Sequence, residues 1–279
     1  MLKIYTVYRC LYGEDFIKES IKSVADFSDK IFVFWTNKPL GGVTEVKYKD
    51  EIIKFPRKID NIIDVIEDIG DSRISLVYDH VDNNDNQFTH LVNDIILPNY
   101  PRPDIIVFLE PDMVYKKENF LKCLDDFEKS NLVSASAKQI ELWRRYDYRI
   151  PERFRPSSTW WNLNKTEVIP LTGKSANVSD LSYLNGHVHN FGFCIKDINM
   201  YWKHLLAIAF SKKIGDSAPN ENWYDGKWLS WDFEKNNVNL EISLGFESCI
   251  PCSFPYDIKD LPETVLDNHG KFWEYMENR

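Results

Sequence analysis

The chain has 279 residues, 43% of them hydrophobic, and a formal net charge of −9, enough apolar material for one large domain or one domain with an elaboration. The acidic balance argues against a nucleic-acid binder, since a phosphate backbone demands a basic face. No apolar run approaches membrane-spanning length and Met1-Leu2-Lys3 leads straight into a strand, so the chain reads as a soluble, cytoplasmic protein with neither signal peptide nor transmembrane segment.

In chain order, Leu2 to Tyr8 predicts a strand, and Glu14 to Phe27 carries Phe16, Ile17, Ser20, Ile21, Val24 and Phe27 at helical spacing. Asp29 to Trp35 predicts a second, buried strand and Arg73 to Tyr78 a third, with a short helix from Ile59 to Ile69 between them. Gln87 to Leu97 predicts a helix stopped by Pro98. The apolar run from Asp104 to Leu109 predicts the next strand, and Asn119 to Lys129 the next helix. Strands alternating with helices imply βαβ units around a mainly parallel central sheet, an α/β fold of Rossmann-like kind. Further on, His187 to Phe193 predicts a strand with both histidines on one face, a pair that more often makes structural hydrogen bonds than holds a metal. Ile198 to Lys212 predicts a helix with Trp202, Leu205, Leu206 and Ala209 inward and His204 incidental, and a further helix near Asp225 precedes a strand at Val238.

The stretch Asp104-Ile105-Ile106-Val107-Phe108-Leu109-Glu110-Pro111-Asp112 carries the most chemistry. An unpaired carboxylate is costly to bury, so Glu110 and Asp112 belong at the strand's exit, facing a cleft or an ion, with Pro111 stiffening the turn. Two hard oxygen ligands bent toward one point suit Mg²⁺ or Mn²⁺, the usual partners of a diphosphate. The plainer reading is that they punctuate the strand and begin a loop. Ligands of parallel sheets sit beyond the strands' carboxyl ends, where this pair falls.

The N-terminal strand, the helix opening near Glu14-Asp15-Phe16, the strand Ser28 to Phe34 and the strand ending in acid-x-acid together resemble a GT-A glycosyltransferase of the family-2-like group. The resemblance is clearest over residues 1–130. It departs from the family at Glu110, where Asp is commoner, and at Trp35-Thr36-Asn37, where the family often has an acid. It implies a single GT-A-like domain with a nucleotide-sugar-binding half, 1–130, and an acceptor-binding half with the C-terminal segment, 131–279. It implies sugar transfer from a nucleotide-diphosphate sugar to an acceptor hydroxyl, with Mn²⁺ or Mg²⁺ on the diphosphate held by Glu110, Asp112 and His269. Donor contacts would come from Thr6, Tyr8, Arg9, Asp79 and Asn93, with Tyr8 stacking on the base and Arg9 pairing with phosphate. For an inverting transfer the general base would be Asp225 or, second, Asp232. Each of these has an ordinary alternative: Tyr8 in the core, Asn93 in solvent, Asp225 as a helix cap and His269 in a surface turn.

From Trp143 to Trp161, aromatic residues alternate with arginines. Trp143, Arg144, Tyr148, Trp160 and Trp161 suit an acceptor glycan, whose C–H faces stack on aromatic rings. The same pattern suits residues that anchor irregular loops, or single-stranded nucleic acid, which the acidic chain disfavours. Five scattered cysteines, Cys249-Ile250-Pro251-Cys252 among them, read as reduced thiols rather than a redox or zinc site. Two alternatives stand beside the transferase. A nucleotidyltransferase would show a Gly-rich basic loop early in the chain, which Arg9-Cys10-Leu11-Tyr12-Gly13 matches poorly. A catalytically silent carbohydrate- or nucleotide-binding module would bind donor without turnover.

Overall fold

The computed structural model describes residues 2–56, 61–79, 88–152, 158–169, 182–215, 220–240 and 252–268. Its elements in order are β1 (Ile4–Cys10), α1 (Ile17–Ala25), β2 (Lys30–Trp35), the hairpin β3 (Glu45–Tyr48) and β4 (Glu51–Lys54), α2 (Ile62–Glu67) and β5 (Ile74–Tyr78). Next come α3, a π-helical turn Leu91–Ile96 running on as Leu97–Asn99, then β6 (Ile105–Leu109), β7 (Met113–Tyr115) and α4 (Lys117–Lys129). The remainder is β8 (Ser134–Trp143), β9 (Arg145–Arg149), β10 (Thr159–Asn162), β11 (Tyr183–Asn190), α5 (Asp197–Ile214), β12 (Phe254–Pro255) and α6 (Glu263–Leu266).

The main sheet runs β12-β9-β8-β10-β6-β1-β2-β5, with β11 joining β8 and β7. β5, β2, β1 and β6 are mutually parallel, β10 runs against both β6 and β8, and β11 is parallel to β8. This is the α/β architecture with a mainly parallel central sheet expected from the sequence, and strands from both halves of the chain build it.

Side-chain alternation along each strand decides which layer a residue joins. On β6, Ile105, Val107 and Leu109 face one side with Ile17, Ile21 and Val24 of α1 and Phe120 and Phe127 of α4. Ile106 and Phe108 face the other side, against Leu91, Val92 and Ile96 of α3. Each such fully buried side chain contributes roughly 1.5–3 kcal/mol relative to exposure. Helices therefore cover both faces, which explains why β6 reads as an unbroken apolar run. A second core beyond the sheet gathers Trp143, Tyr146, Phe191, Trp223 and Trp228. The β3–β4 hairpin packs through Val46 and Tyr48 onto Leu205 and Ile208 of α5.

Four details differ from the sequence reading. Pro98 does not stop its helix: the chain stays helical through it to Asn99. The aromatic-arginine segment, to which the sequence reading assigned no regular element, contains strands β9 and β10. The helix near Asp225 is the short turn Tyr224–Leu229, and most of the strand expected after Val238 lies outside the described residues. His204 is not incidental: it is wholly buried with its ring 5.5 Å from that of Trp223, and burial lowers its pKa to about 4.

Candidate functional site

The chain winds β1 to β2 to β5 in one direction and then crosses back to place β6 on the other side of β1. Ligands of open α/β sheets bind at such a reversal, beyond the strands' carboxyl ends. Arg9 lies one residue before the end of β1, and β6 exits into Glu110. Alternation sends Arg9 away from α1, and its guanidinium lies 5.2 Å from the Phe88 ring centre. Its Nη2 donates to Glu110 Oε1 at 2.7 Å, bridging the mouth of the crevice.

Glu110 to Met113 form a turn closed by the Met113 N–H donating to the Glu110 carbonyl at 3.0 Å, with Pro111 at its second position. Gly13, in the loop after β1, is held so close to Pro111 that a Cβ there would meet the proline ring at 2.5 Å. The turn sends Asp112 toward β11 and α5. The Phe191 N–H donates to the Asp112 carbonyl at 2.8 Å, and Lys203 Nζ lies 3.6 Å from Asp112 Oδ2. Lys203 also donates to the Gly192 carbonyl at 3.0 Å. A Cβ on Gly192 would fall 2.7 Å from Asp112 Oδ2, 2.8 Å from Asn190 Oδ1 and 2.9 Å from Lys203 Nζ, so three polar ends converge where this glycine has no side chain. Burial pushes the Asp112 carboxyl above the ordinary carboxylate range, Lys203 opposes this, and Glu110 and Glu141 add to it.

The donor candidates divide. Arg9 faces the crevice, but Thr6 and Tyr8 do not. Both are wholly buried; the Thr6 hydroxyl meets that of Ser28 at 2.7 Å, and the Tyr8 hydroxyl accepts from Ser20 Oγ at 3.1 Å. Tyr8 is thus core beneath α1 and offers no face for a base. Asn93 spends its amide on the chain itself, donating to the Ile169 carbonyl and accepting its N–H at 2.8 and 3.0 Å. Asp79 follows β5 and lies 3.1 Å from His90 Nε2. Beside it, Trp35 and Tyr78 meet edge to face at 4.7 Å where β2 and β5 end, an aromatic pair that the sequence reading did not single out.

Among the acceptor candidates, Trp160 and Trp161 are neighbours on β10 and point to opposite faces of the sheet. Trp160 joins the core under α4 and Trp161 the core under α3. Trp143 is equally buried, among Phe193, Trp223 and Trp228. None of the three presents a ring to a ligand, because each is packed into one of the cores. Arg144 and Tyr148 do reach a cavity of about 320 Å³, whose aromatic walls are Tyr148, Trp231 and Phe233 and whose polar groups are Arg144, Arg145, Asp232 and Glu234. Arg144 sits at the β8–β9 corner with φ 61°, a left-handed backbone costing roughly 1–2 kcal/mol outside glycine. The corner is held by Nη1 donating to Asp197 Oδ1 at 2.7 Å, by the guanidinium lying 4.5 Å from the Trp228 ring centre, and by the Arg144 N–H on the Phe193 carbonyl. That last bond ties the backbone of Arg144 to the residue after Gly192.

Asp232 lines this cavity, and its Oδ1 accepts the backbone N–H groups of Glu234 and Lys235 at 3.0 Å, which together hold its carboxyl below the usual range. Asp225 lies elsewhere, half-exposed and 2.6 Å from Lys49 of the β3–β4 turn. His189 is buried, its Nε2 2.8 Å from the Tyr256 hydroxyl, while His187 is partly exposed. The pair thus meets different surroundings. His269 lies outside the described residues, as does Cys249. No helix of the described residues is long and apolar enough to cross a membrane.

A divalent cation does not fit the donor set well. Glu110 and Asp112 each face a cation of the chain itself, Arg9 or Lys203. Among the described residues no group of three or more His, Cys, Asp or Glu side chains could hold a metal.

No protein family matches the sequence, and no curated protein matches it either. Several solved structures align with it over much of the chain. TarS 1–349 from S. aureus in complex with UDP-GlcNAc aligns with TM-score 0.42 and 10% identity over 84% of this chain and 74% of that one. Glucosyl-3-phosphoglycerate synthase from Mycobacterium tuberculosis, in complex with Mn²⁺, UDP and glucosyl-3-phosphoglycerate, aligns with TM-score 0.39 and 10% identity over 77% and 81%. The inositol-1-phosphate CTP transferase from T. maritima aligns with TM-score 0.41 and 8% identity over 78% and 98%. All three are distant.

Proposed function

We infer that this protein is a glycosyltransferase that moves a sugar from a nucleotide-diphosphate sugar to an acceptor hydroxyl. The observation that carries this reading is the charged cluster of Arg9, Glu110 and Asp112, placed by β1 and β6 at the sheet's reversal point, where this class of fold binds its ligands. The nucleotide base extends toward Trp35 and Tyr78, the diphosphate lies at the Glu110–Asp112 turn, and the sugar points to the cavity of Arg144 and Tyr148. Aromatic walls with a few convergent polar groups suit a glycan acceptor there.

In the reaction the bond between the anomeric carbon and the diphosphate oxygen breaks, and its electron pair leaves with the nucleotide. The acceptor oxygen bonds to that carbon and gives its proton to a carboxylate. Asp232 is better placed for this than Asp225, because it shares the cavity with Arg144. Its depressed pKa makes it a weak base, one that takes the proton late, once the new bond has acidified the hydroxyl. Calorimetric titration with a panel of nucleoside diphosphates tests the donor site. At least one should bind, and Arg9→Ala should weaken it tenfold or more; a panel that does not bind, or binding that Arg9→Ala leaves unchanged, refutes the assignment.

A further inference from the structure

A diphosphate bound at this crevice must have its charge met. Two carboxylates at a strand exit would ordinarily do this by holding a hard divalent ion, with water completing its shell. Here the surroundings are different. Glu110 is bonded to Arg9 at 2.7 Å, and Asp112 has the Lys203 ammonium 3.6 Å away. Each carboxylate already faces a cation of the chain, which makes it a poorer ligand for an ion. An ion held by both carboxylates would have to displace Arg9 and stand next to an ammonium, where like charges repel strongly in a partly buried site.

Lys203 is also built into its place. Its Nζ is fixed by the Gly192 carbonyl at 3.0 Å and lies 5.5 Å from the Phe193 ring centre. Gly192 itself leaves room for Nζ, Asp112 Oδ2 and Asn190 Oδ1 to meet. An ammonium carries three donors. The Gly192 carbonyl takes one, Asp112 attracts the ammonium from 3.6 Å, beyond hydrogen-bond distance, and 34% of the side chain remains exposed. Resting on the donor-site reading above, we propose that Lys203, with Arg9, supplies the positive charge that holds the diphosphate and stabilises it as it leaves, so that the donor binds without a divalent cation. Asp112 positions the lysine rather than ligating an ion.

The test is calorimetric titration of the nucleoside diphosphate that binds best, in EDTA and in Mn²⁺, with wild type, Lys203→Met and Lys203→Arg. The expected result is wild-type affinity within about threefold in the two buffers, a loss of tenfold or more in Lys203→Met, and recovery of most of it in Lys203→Arg. Circular dichroism and thermal melts of Lys203→Met separate loss of the cation from loss of the fold, and the arginine variant keeps the test informative if the methionine variant unfolds. Binding that appears only with Mn²⁺, or that Lys203→Met leaves unchanged, overturns the proposal while leaving the donor site standing. Absence of binding in both buffers removes the donor site and this proposal with it.

Discussion

Gly192→Ala separates the site from the scaffold. The added Cβ would lie 2.7 Å from Asp112 Oδ2, 2.8 Å from Asn190 Oδ1 and 2.9 Å from Lys203 Nζ. All three are ends of side chains that can swing aside, so the fold should lose less than about 1 kcal/mol. The site should lose more. Stretching the Lys203–Asp112 pair from 3.6 Å to about 5 Å weakens it by about 1 kcal/mol at an effective dielectric of 20. Moving the ammonium away from a bound phosphate by a similar distance costs a similar amount, roughly a fivefold to tenfold loss of affinity. Gly186→Ala is the contrast: its Cβ would meet the Asn119 backbone carbonyl at 2.3 Å and Cys123 Sγ at 2.5 Å, so β11 and α4 must separate. Overpacking of that kind costs about 1–3 kcal/mol and touches no group at the crevice. Urea unfolding and nucleotide titration of both variants give the answer. If Gly192→Ala loses as much stability as Gly186→Ala, or binds nucleotide like wild type, then Gly192 is not part of a binding site.

Two further outcomes are expected. Trp160→Ala removes an indole with no exposed surface that donates to the Tyr115 hydroxyl at 3.2 Å and packs on Phe120 and Phe127; it should cost about 3–5 kcal/mol in a urea titration, whereas a stable variant with impaired acceptor use would restore the surface role that the fold denies this residue. Burial, with smaller effects from His187 and Lys116, lowers the pKa of His189 from 6.5 to about 3. The unfolded chain therefore binds a proton that the folded one refuses. Stability is full above the unfolded value and falls as pH drops through 6.5 toward 3, by up to about 1.4 kcal/mol per pH unit for this one group. Urea midpoints between pH 7.5 and 4 should fall less steeply in His189→Gln, and an equal slope would show that His189 is not the group responsible.

The parallel half of the fold was legible because its signals are local. An apolar run such as Ile105 to Leu109 suits a strand covered on both faces, and its acidic exit marks where the covering ends. The aromatic-arginine segment misled for a physical reason. Trp160 and Trp161 are adjacent, and adjacency on a strand means opposite faces, but nothing local to Thr159–Asn162 announces a strand between β6 and β8. Its partners lie more than twenty residues away in sequence, so burial was invisible. Lys203, Asn190 and Gly192 were missed likewise. Asp112 meets them only because β11 pairs with β7, placing Asn190 opposite Met113. The one sequence cue was Gly192 just past a strand rich in polar residues, too weak to name a role.

The distribution of charge completes the argument. A chain of net charge −9 repels a diphosphate at a distance, so overall charge does not steer the donor in, and salt that shortens the screening length to roughly 8 Å should ease rather than hinder its approach. Attraction must come from cations fixed within a few ångströms of the crevice. The fold draws two of them from distant places, Arg9 from the first strand and Lys203 from α5, and both face a carboxylate of the Glu110–Asp112 turn. Such pairing costs each cation some of its pull on a ligand, but it holds the side chain in place before the ligand arrives. Binding then orders fewer groups, and the affinity depends on geometry more than on net charge.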